Sequence, residues 1–426
     1  MQLTQPLFFN IKERVIFCVF LLCVACATLG FKYYQFYALK SQSNPQVRAE
    51  VLLQYTKQKN NKIYFVLKLK SDFGVFYTTT YEDLRDIRNR EILLRLKFSN
   101  ITFLEFLKGF YASSFSMIVL PKNTFKQDLR AFIMSQHSTQ IMGEYYLALF
   151  LADSLPKAWR EVAQSYGIAH LFAISGFHTG ILSAVAFLIL GFLYKPLHKR
   201  FFPFRNFFFD VGFVVISLLF MYYFLLTQSP SYLRALAMSG IAFFFLWRGI
   251  SLWRIETLFW CVLSLLALFP SLVFSVGFYF SSLGVLYIFL FFKYFKIPQG
   301  FMQRCMYGIA LNASTFFLMG IVVYYFFPLF SPLSLFSLML TPLFSLYYPL
   351  ALIAHLLGIG GILDSILLGW LAFPTHTIAL EVPFMLFCAC NVLNVMAIFS
   401  RSIFLGLLGL NCAYFCYGLY LYFYGF

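Results

Sequence analysis

The sequence predicts a polytopic α-helical membrane protein with an N-terminal anchor helix and a small extracytoplasmic OB-like β-barrel domain. Three observations carry this. Hydrophobic residues make up 61% of the chain, against ~45–50% in soluble domains. Runs of about 20 apolar residues, each long enough to cross ~30 Å of hydrocarbon, recur from residue 167 onward. Between them and a first apolar run lies one long polar stretch, 38–165, whose pattern alternates with period two.

Residues 1–37 read as a cytoplasmic N-terminus and an anchor. The run 15–31 follows Lys12, Glu13 and Arg14. It ends in Phe31, Lys32, Tyr33 and Tyr34, without the small-residue site that a cleaved signal requires. In 38–125 the stretches VRAEVLLQY, KIYFVLKLK, GVFYTTTY, EILLRLKF and SFSMIVL read as strands, with a helical TFLEFLKGFY before the last. Five short strands and one helix suit a small barrel of OB type. Residues 126–165 read as amphipathic surface helices, EYYLALFLADSLPKAW among them.

The membrane block, 166–426, divides into about ten segments: 167–194, 206–227, 231–247, 255–269, 275–294, 305–327, 333–356, 362–375, 378–400 and 402–425. Lys195, Lys199, Arg200 and Arg205 share one connection, Arg248 and Arg254 a second, Lys293, Lys296 and Arg304 a third, and Arg401 lies in a fourth. The intervening loops at 228–230, 270–274, 328–332 and 376–377 hold no Lys or Arg. Basic loops stay in the cytoplasm, which sets 38–165 on the other side.

That outer stretch carries 18 Lys and Arg against 11 Asp and Glu, a net of +7. Lys57, Lys59, Lys62, Lys68 and Lys70 are its basic candidates. A basic barrel suits an anionic partner, single-stranded nucleic acid above all, although lysines also simply keep a domain soluble. The nine cysteines all fall in apolar segments. Cys23 and Cys26 form a CxxC without a second pair or a nearby His, so no metal site and no cofactor are expected.

Polar residues inside apolar segments mark function or packing. GIAHLFAISGFHTGIL (167–182) holds His170, Ser175 and His178. On a continuous helix His170 lies at the outer boundary and His178 about 12 Å deeper, with Ser175 about 60° from His178. Gly176 and Gly180 form a GxxxG that suits helix packing. In TQSPSYLRALAMSG (227–240), Ser229 suits an N-cap and Pro230 the first helical position. Arg234 follows one turn later, either snorkelling to the interface or contacting an anion at the mouth of a passage. Ser175 and His178 also have the spacing of a hydrolase dyad, but no third member is evident. No catalytic residue is assigned.

At these residues the sequence resembles the ComEC competence family, which passes transforming DNA across the bacterial cytoplasmic membrane. The family's G-x-x-H-L-x-A-I-S-G-x-H-x-G is matched at Gly167, His170, Leu171, Ala173, Ile174, Ser175, Gly176, His178 and Gly180. Arg234, Ala235 and Met238 match an R-A-x-x-M stretch. Gly277, Phe278 and Ser281 partly match G-F-Q-L-S, with Tyr279 and Phe280 in place of Gln and Leu. EFLKGFYASSFSMIVL is similar to the end of the family's OB-type domain, and the likeness runs from about residue 48 to about 355 and weakly beyond. The H-x-H-x-D-H of the family's metallo-β-lactamase-like domain is not matched, which implies a separate nuclease for strand removal.

The resemblance implies a channel for single-stranded DNA, with a periplasmic DNA receptor, cytoplasmic DNA-binding or motor proteins, membrane lipid and a possible homo-oligomer as partners. A strand bears a phosphate every ~3.4 Å, so ~30 Å of bilayer would hold about nine charges. Carrying them through lipid costs on the order of 20–30 kcal/mol, so a hydrated passage is needed. No G-x-x-x-x-G-K-[ST] is present to serve as a motor. DNA capture falls to the outer domain, and guidance at the entrance to His170, Ser175, His178 and Arg234. The competing reading is a transporter of a smaller anion with one compact midplane site between broken helices.

Overall fold

A computed structural model describes residues 7–424, except 9, 60–61, 83–89, 99, 122–123, 173, 227–229 and 251–253. Ala173 of the first motif and the proposed cap Ser229 thus lie outside the described residues, as do the side chains of Lys59, Lys62 and Pro230.

Helix α1 (Ile11–Lys40) is 30 residues long, about 45 Å, and projects beyond a bilayer's hydrocarbon. Its lower part packs on α10 (Ile255–Leu268), where Arg14 pairs with Glu256 at 3.1 Å and the Thr28 hydroxyl donates to the Ala267 carbonyl at 2.7 Å. Its last turns enter the sheet domain of residues 46–119: Phe36 is buried against Phe98, Phe103 and Phe106. The anchor therefore continues into the core of the domain it carries.

That domain is one antiparallel sheet of β1 (Gln46–Lys59), β2 (Lys62–Ser71), β3 (Gly74–Thr80), β4 (Glu91–Lys97) and β5 (Ser113–Val119), ordered β3-β2-β1-β4-β5. Inward residues alternate as the sequence requires: Val47, Ala49, Val51, Leu67, Leu69, Ile92, Leu94 and Leu96 are buried in one cluster. A bulge between Val51 and Leu53 lets β1 pair first with β4 and then with β2. Helix α2 (Phe103–Lys108) starts at a capping box of Thr102 and Glu105. The expected closed barrel is not formed. Strand β3 meets the residues just before β5 through an isolated parallel bridge, Tyr77 to Tyr111, and the Thr78 hydroxyl bonds that of Ser114 at 2.9 Å, but no ladder joins β3 to β5. Alternation fixes which residues face inward, but closure depends on edge pairing, which alternation does not encode.

Helices α3 (Thr124–Met134), α4 (Gln140–Leu151) and α5 (Lys157–Ser165) follow. Helix α4 corrects the expectation of a surface helix: Met142, Gly143 and all of Tyr145–Leu151 are buried. EYYLALFL is apolar on every side, and such a helix buries itself all round rather than lying half in water.

The membrane block contains α6 (Ala169–Phe172), α7 (Gly176–Phe201), α8 (Phe207–Leu225), α9 (Pro230–Trp247), α10, α11 (Val276–Tyr294), α12 (Phe301–Phe326), α13 (Ser337–Leu356), α14 (Asp364–Leu371), α15 (Phe384–Met396) and α16 (Arg401–Tyr424). Among the described residues seven helices are long and apolar enough to cross a membrane: α1, α7, α8, α11, α12, α13 with its preceding turn, and α16. Apolar helices at 231–247, 255–268, 360–371 and 384–396 are shorter. The expected continuous helix 167–194 is broken. Gly167 has a left-handed φ of +65°, α6 is only four residues long, and Ser175 has extended φ and ψ before α7 begins. The depth and rotation expected for His170 and His178 on one helix therefore do not apply.

Candidate functional site

The break answers what Ser175 and His178 do locally. Ser175 caps α7, its hydroxyl accepting from the Phe177 N–H at 3.3 Å, while His178 Nδ1 accepts from the Ser175 N–H at 3.4 Å. Serine and histidine form a capping box, with His178 in the place usually held by Glu or Gln. The imidazole faces the backbone N–H of Ser175 rather than its Oγ, so the pair lacks the contact a nucleophile needs. His178 is fully buried between α7 and α13, edge-on to Phe344 and Tyr348 with ring centres 5.1 and 4.9 Å away. His170 is the accessible member, on α6, with Nε2 3.5 Å from the Thr341 hydroxyl.

Arg234 gathers the other two motifs. It is 5% exposed on α9. Nη1 donates to Ser275 Oγ at 3.0 Å and Nη2 to Ser231 Oγ at 2.9 Å, and the guanidinium carbon lies 5.9 Å from the Phe278 ring centre. Its Nε is buried without a partner, and no carboxylate pairs with it among the described residues. Ser275 also caps α11, its hydroxyl oxygen accepting from the Phe278 N–H at 3.3 Å. Gly277 leaves room for the guanidinium: a Cβ would stand 3.1 Å from Nη2 and 3.3 Å from Nη1. Gly176 makes ordinary contact with Ala235, a Cβ there standing 3.8 Å away. The three stretches distant in sequence thus converge on α9: α7 through Ala235, α11 through Arg234.

Gly180 would meet nothing within 4 Å, so the GxxxG does not make a close helix crossing, contrary to expectation. Ser281 lies half-buried one turn further along α11. The Tyr279 that replaces the family's glutamine donates its hydroxyl to Asn391 of α15.

The five-stranded sheet presents a different surface. Register places Lys57 opposite Tyr64, Tyr55 opposite Val66, Leu53 opposite Lys68, and Lys68 opposite Tyr77. Cross-strand partners share a face, and this face is the one turned away from the buried Leu67 and Leu69. Lys59 pairs with Lys62 at the end of the same hairpin. Tyr55, Lys57, Tyr64, Tyr77, Thr79 and Tyr111 line a hollow of about 380 Å³ on it. Tyr55 and Tyr111 are 37% and 52% exposed, and Lys57 Nζ lies 5.8 Å from the Tyr55 ring centre. Burial lowers the lysine pKa of Lys68 and Lys70. At Lys70 the facing Glu50 partly offsets this. The tyrosines were missed in the sequence, where charge was counted without asking which rings share the lysines' face.

A third cluster was also missed. His137, just after α3, places Nδ1 3.0 Å from an Asp364 oxygen and Nε2 3.0 Å from His355 Nε2, while His355 Nδ1 donates to the Ala351 carbonyl at 2.7 Å. The His137 ring stacks on Tyr146, 4.6 Å away and tilted 7°. Gln136 bonds the His355 carbonyl and the Gly360 N–H. The cluster latches the α3–α4 turn to α13 and α14. More than 200 residues separate His137 from His355 and Asp364, so no local motif signals it. Among the described residues no group of His, Cys, Asp and Glu could hold a metal ion.

Residues 149–419 match the Competence protein family. The match covers well over half of the chain, which belongs to that family, and membership points to a role in DNA uptake for competence. It reaches further toward the C-terminus than the motif likeness did and leaves out the outer sheet. No curated protein and no solved structure matches the chain.

Proposed function

We propose that the protein is the membrane passage for single-stranded DNA in competence, and that the outer sheet faces away from the cytoplasm and captures the strand. The lysine–tyrosine face is the observation that carries this reading. Lysines follow the phosphates, and exposed tyrosines stack on bases that a duplex keeps hidden, at about 1–3 kcal/mol per base. The distribution of Lys and Arg among the loops supports the orientation. Arg234, buried without a carboxylate between the N-termini of α9 and α11, supports a guidance role at the membrane entry, because both helix ends and the guanidinium favour an anion. In this arrangement Arg234 and His178 are closed off and His170 is open, so passage requires α9 to part from α11. No catalytic step is assigned to Ser175.

The test uses full-length protein in lipid nanodiscs and fluorescence anisotropy of a labelled oligonucleotide. Single strand is expected to bind more tightly than duplex of equal length, and Tyr55→Ala with Tyr111→Ala to weaken single-strand binding roughly tenfold to a hundredfold. Equal affinity for duplex, or none for either, sinks the capture reading. The break before α7 favours the second reading, a carrier of a smaller anion, since that reading requires broken helices. It predicts anion flux into liposomes that Arg234→Met stops.

A further inference from the structure

We infer that the hollow between the end of α11, the start of α12 and the start of α16 binds an anionic phospholipid through its phosphate. The hollow measures about 620 Å³ and is walled by Tyr294, Phe295, Met306, Tyr307 and Ala310, with Lys296 and Arg401 on its rim. Both cations are exposed, and neither pairs with a carboxylate among the described residues. The Arg401 guanidinium instead rests on the Phe295 ring, 5.1 Å from its centre. Nearby Lys293 and Arg304 are already spent on backbone carbonyls, of Ile398 at 2.6 Å and Pro298 at 3.1 Å. Residues 293–310 and 397–404 contain no Asp or Glu.

Two further sources of positive potential meet there. Helices α12 and α16 both begin at this end, and no side chain caps α12. A pair of unpaired cations beside an apolar wall suits an anion with an apolar body. A phospholipid supplies both, with phosphate at Lys296 and Arg401 and an acyl chain along Met306 and Ala310. The neighbouring surface is suited to lipid, since Phe301, Met302, Met306 and Ile309 are 64–83% exposed. A nucleic-acid strand would leave those side chains uncovered. Basic pockets between transmembrane helices recognise anionic headgroups in this way.

The experiment is native mass spectrometry of the full-length protein after washing, with phosphatidylglycerol or phosphatidylcholine of identical chains. Phosphatidylglycerol is expected to be retained in preference. Replacing both cations, K296Q with R401Q, is expected to weaken retention about thirtyfold. Because that variant could misfold, Ala310→Trp provides a second arm: it fills the hollow, keeps both charges and is also expected to lose the lipid. Equal retention of the two lipids, or unchanged retention in Ala310→Trp, overturns the proposal. So does displacement by inorganic phosphate alone or by a short single-stranded oligonucleotide as readily as by phosphatidylglycerol.

Discussion

Lys57 and Arg234 are both cations set among aromatic rings, and the fold treats them in opposite ways. Lys57 lies on an open sheet face beside Tyr55, with its charge available to a ligand. Arg234 is closed between two helices, where two serine hydroxyls take its donors and a glycine leaves room for its head. The sheet face is open as it stands. The helix seam is closed, and two serine hydroxyls take the terminal donors of Arg234 while its Nε stays without a partner. An exposed cation therefore signals a standing site, whereas a buried one signals a site that is closed or a structural tie. Substitution separates these two meanings.

The largest effect is expected where a buried polar group is purely a tie. Asp364→Ala leaves the buried His137 Nδ1 without its carboxylate partner. Breaking such a pair costs about 3–5 kcal/mol, seen as a fall in the thermal midpoint of the detergent-solubilised protein. A midpoint near wild type would mean that the latch carries little of the packing between α3–α4 and α13–α14.

Arg234→Met comes next and tests the seam directly. The side chain keeps its volume and loses a charge that no carboxylate balances, so stability is expected to hold or rise. DNA entry into the cytoplasm is expected to drop roughly a hundredfold, the scale of losing one buried charged contact. Labelled transforming DNA, followed by compartment, checks this. Loss of stability in parallel with entry would make Arg234 a structural tie like Asp364.

Glycine substitutions sharpen the same point at lower cost. Gly277→Ala forces the guanidinium to shift, with an expected penalty of about 1–3 kcal/mol from overpacking. Gly176→Ala adds an ordinary contact with Ala235 and Gly180→Ala meets open space. Both are expected to be neutral or slightly stabilising in a helix, by up to about 1 kcal/mol. If all three lowered the thermal midpoint alike, the tight fit at Arg234 would not be what distinguishes Gly277.

These outcomes reflect how unevenly the molecule was written in its sequence. Apolar runs, strand alternation and the grouping of Lys and Arg are local signals, and they gave the membrane segments and the inward face of the sheet. The break before α7 was visible in principle, because Gly167 and an S-x-x-H at 175–178 mark a helix start, yet the apolar background suggested one continuous helix. Arg234 stood out, but its partners Ser231 and Ser275 lie on two elements, and only tertiary packing brings Gly277 beside it. Sheet closure and the His137–His355–Asp364 latch depend on contacts between residues far apart in the chain, where no periodicity reports.

The smallest effect, on the outer face, has a sign that the seam cannot reproduce. Burial holds Lys68 and Lys70 below the ordinary value of 10.5, against Glu50 and Asp72 acting upward and Lys126 downward on Lys70. Between the lowered folded value and 10.5 the unfolded chain binds more protons than the folded one, so stability rises with pH through that window. A phosphate selects the charged form, so single-strand affinity falls over the same window. Stability and binding should therefore move in opposite directions as pH climbs. An oligoadenylate, whose bases do not ionise there, checks the binding arm, and a thermal scan the other. Lys68→Gln should flatten both, whereas Lys57→Gln should leave the pH trend and reduce the logarithmic salt slope by about 0.7. Affinity that stays constant toward pH 10.5 would show that Lys68 and Lys70 do not face the phosphates, leaving Lys57 and the tyrosines to hold the strand.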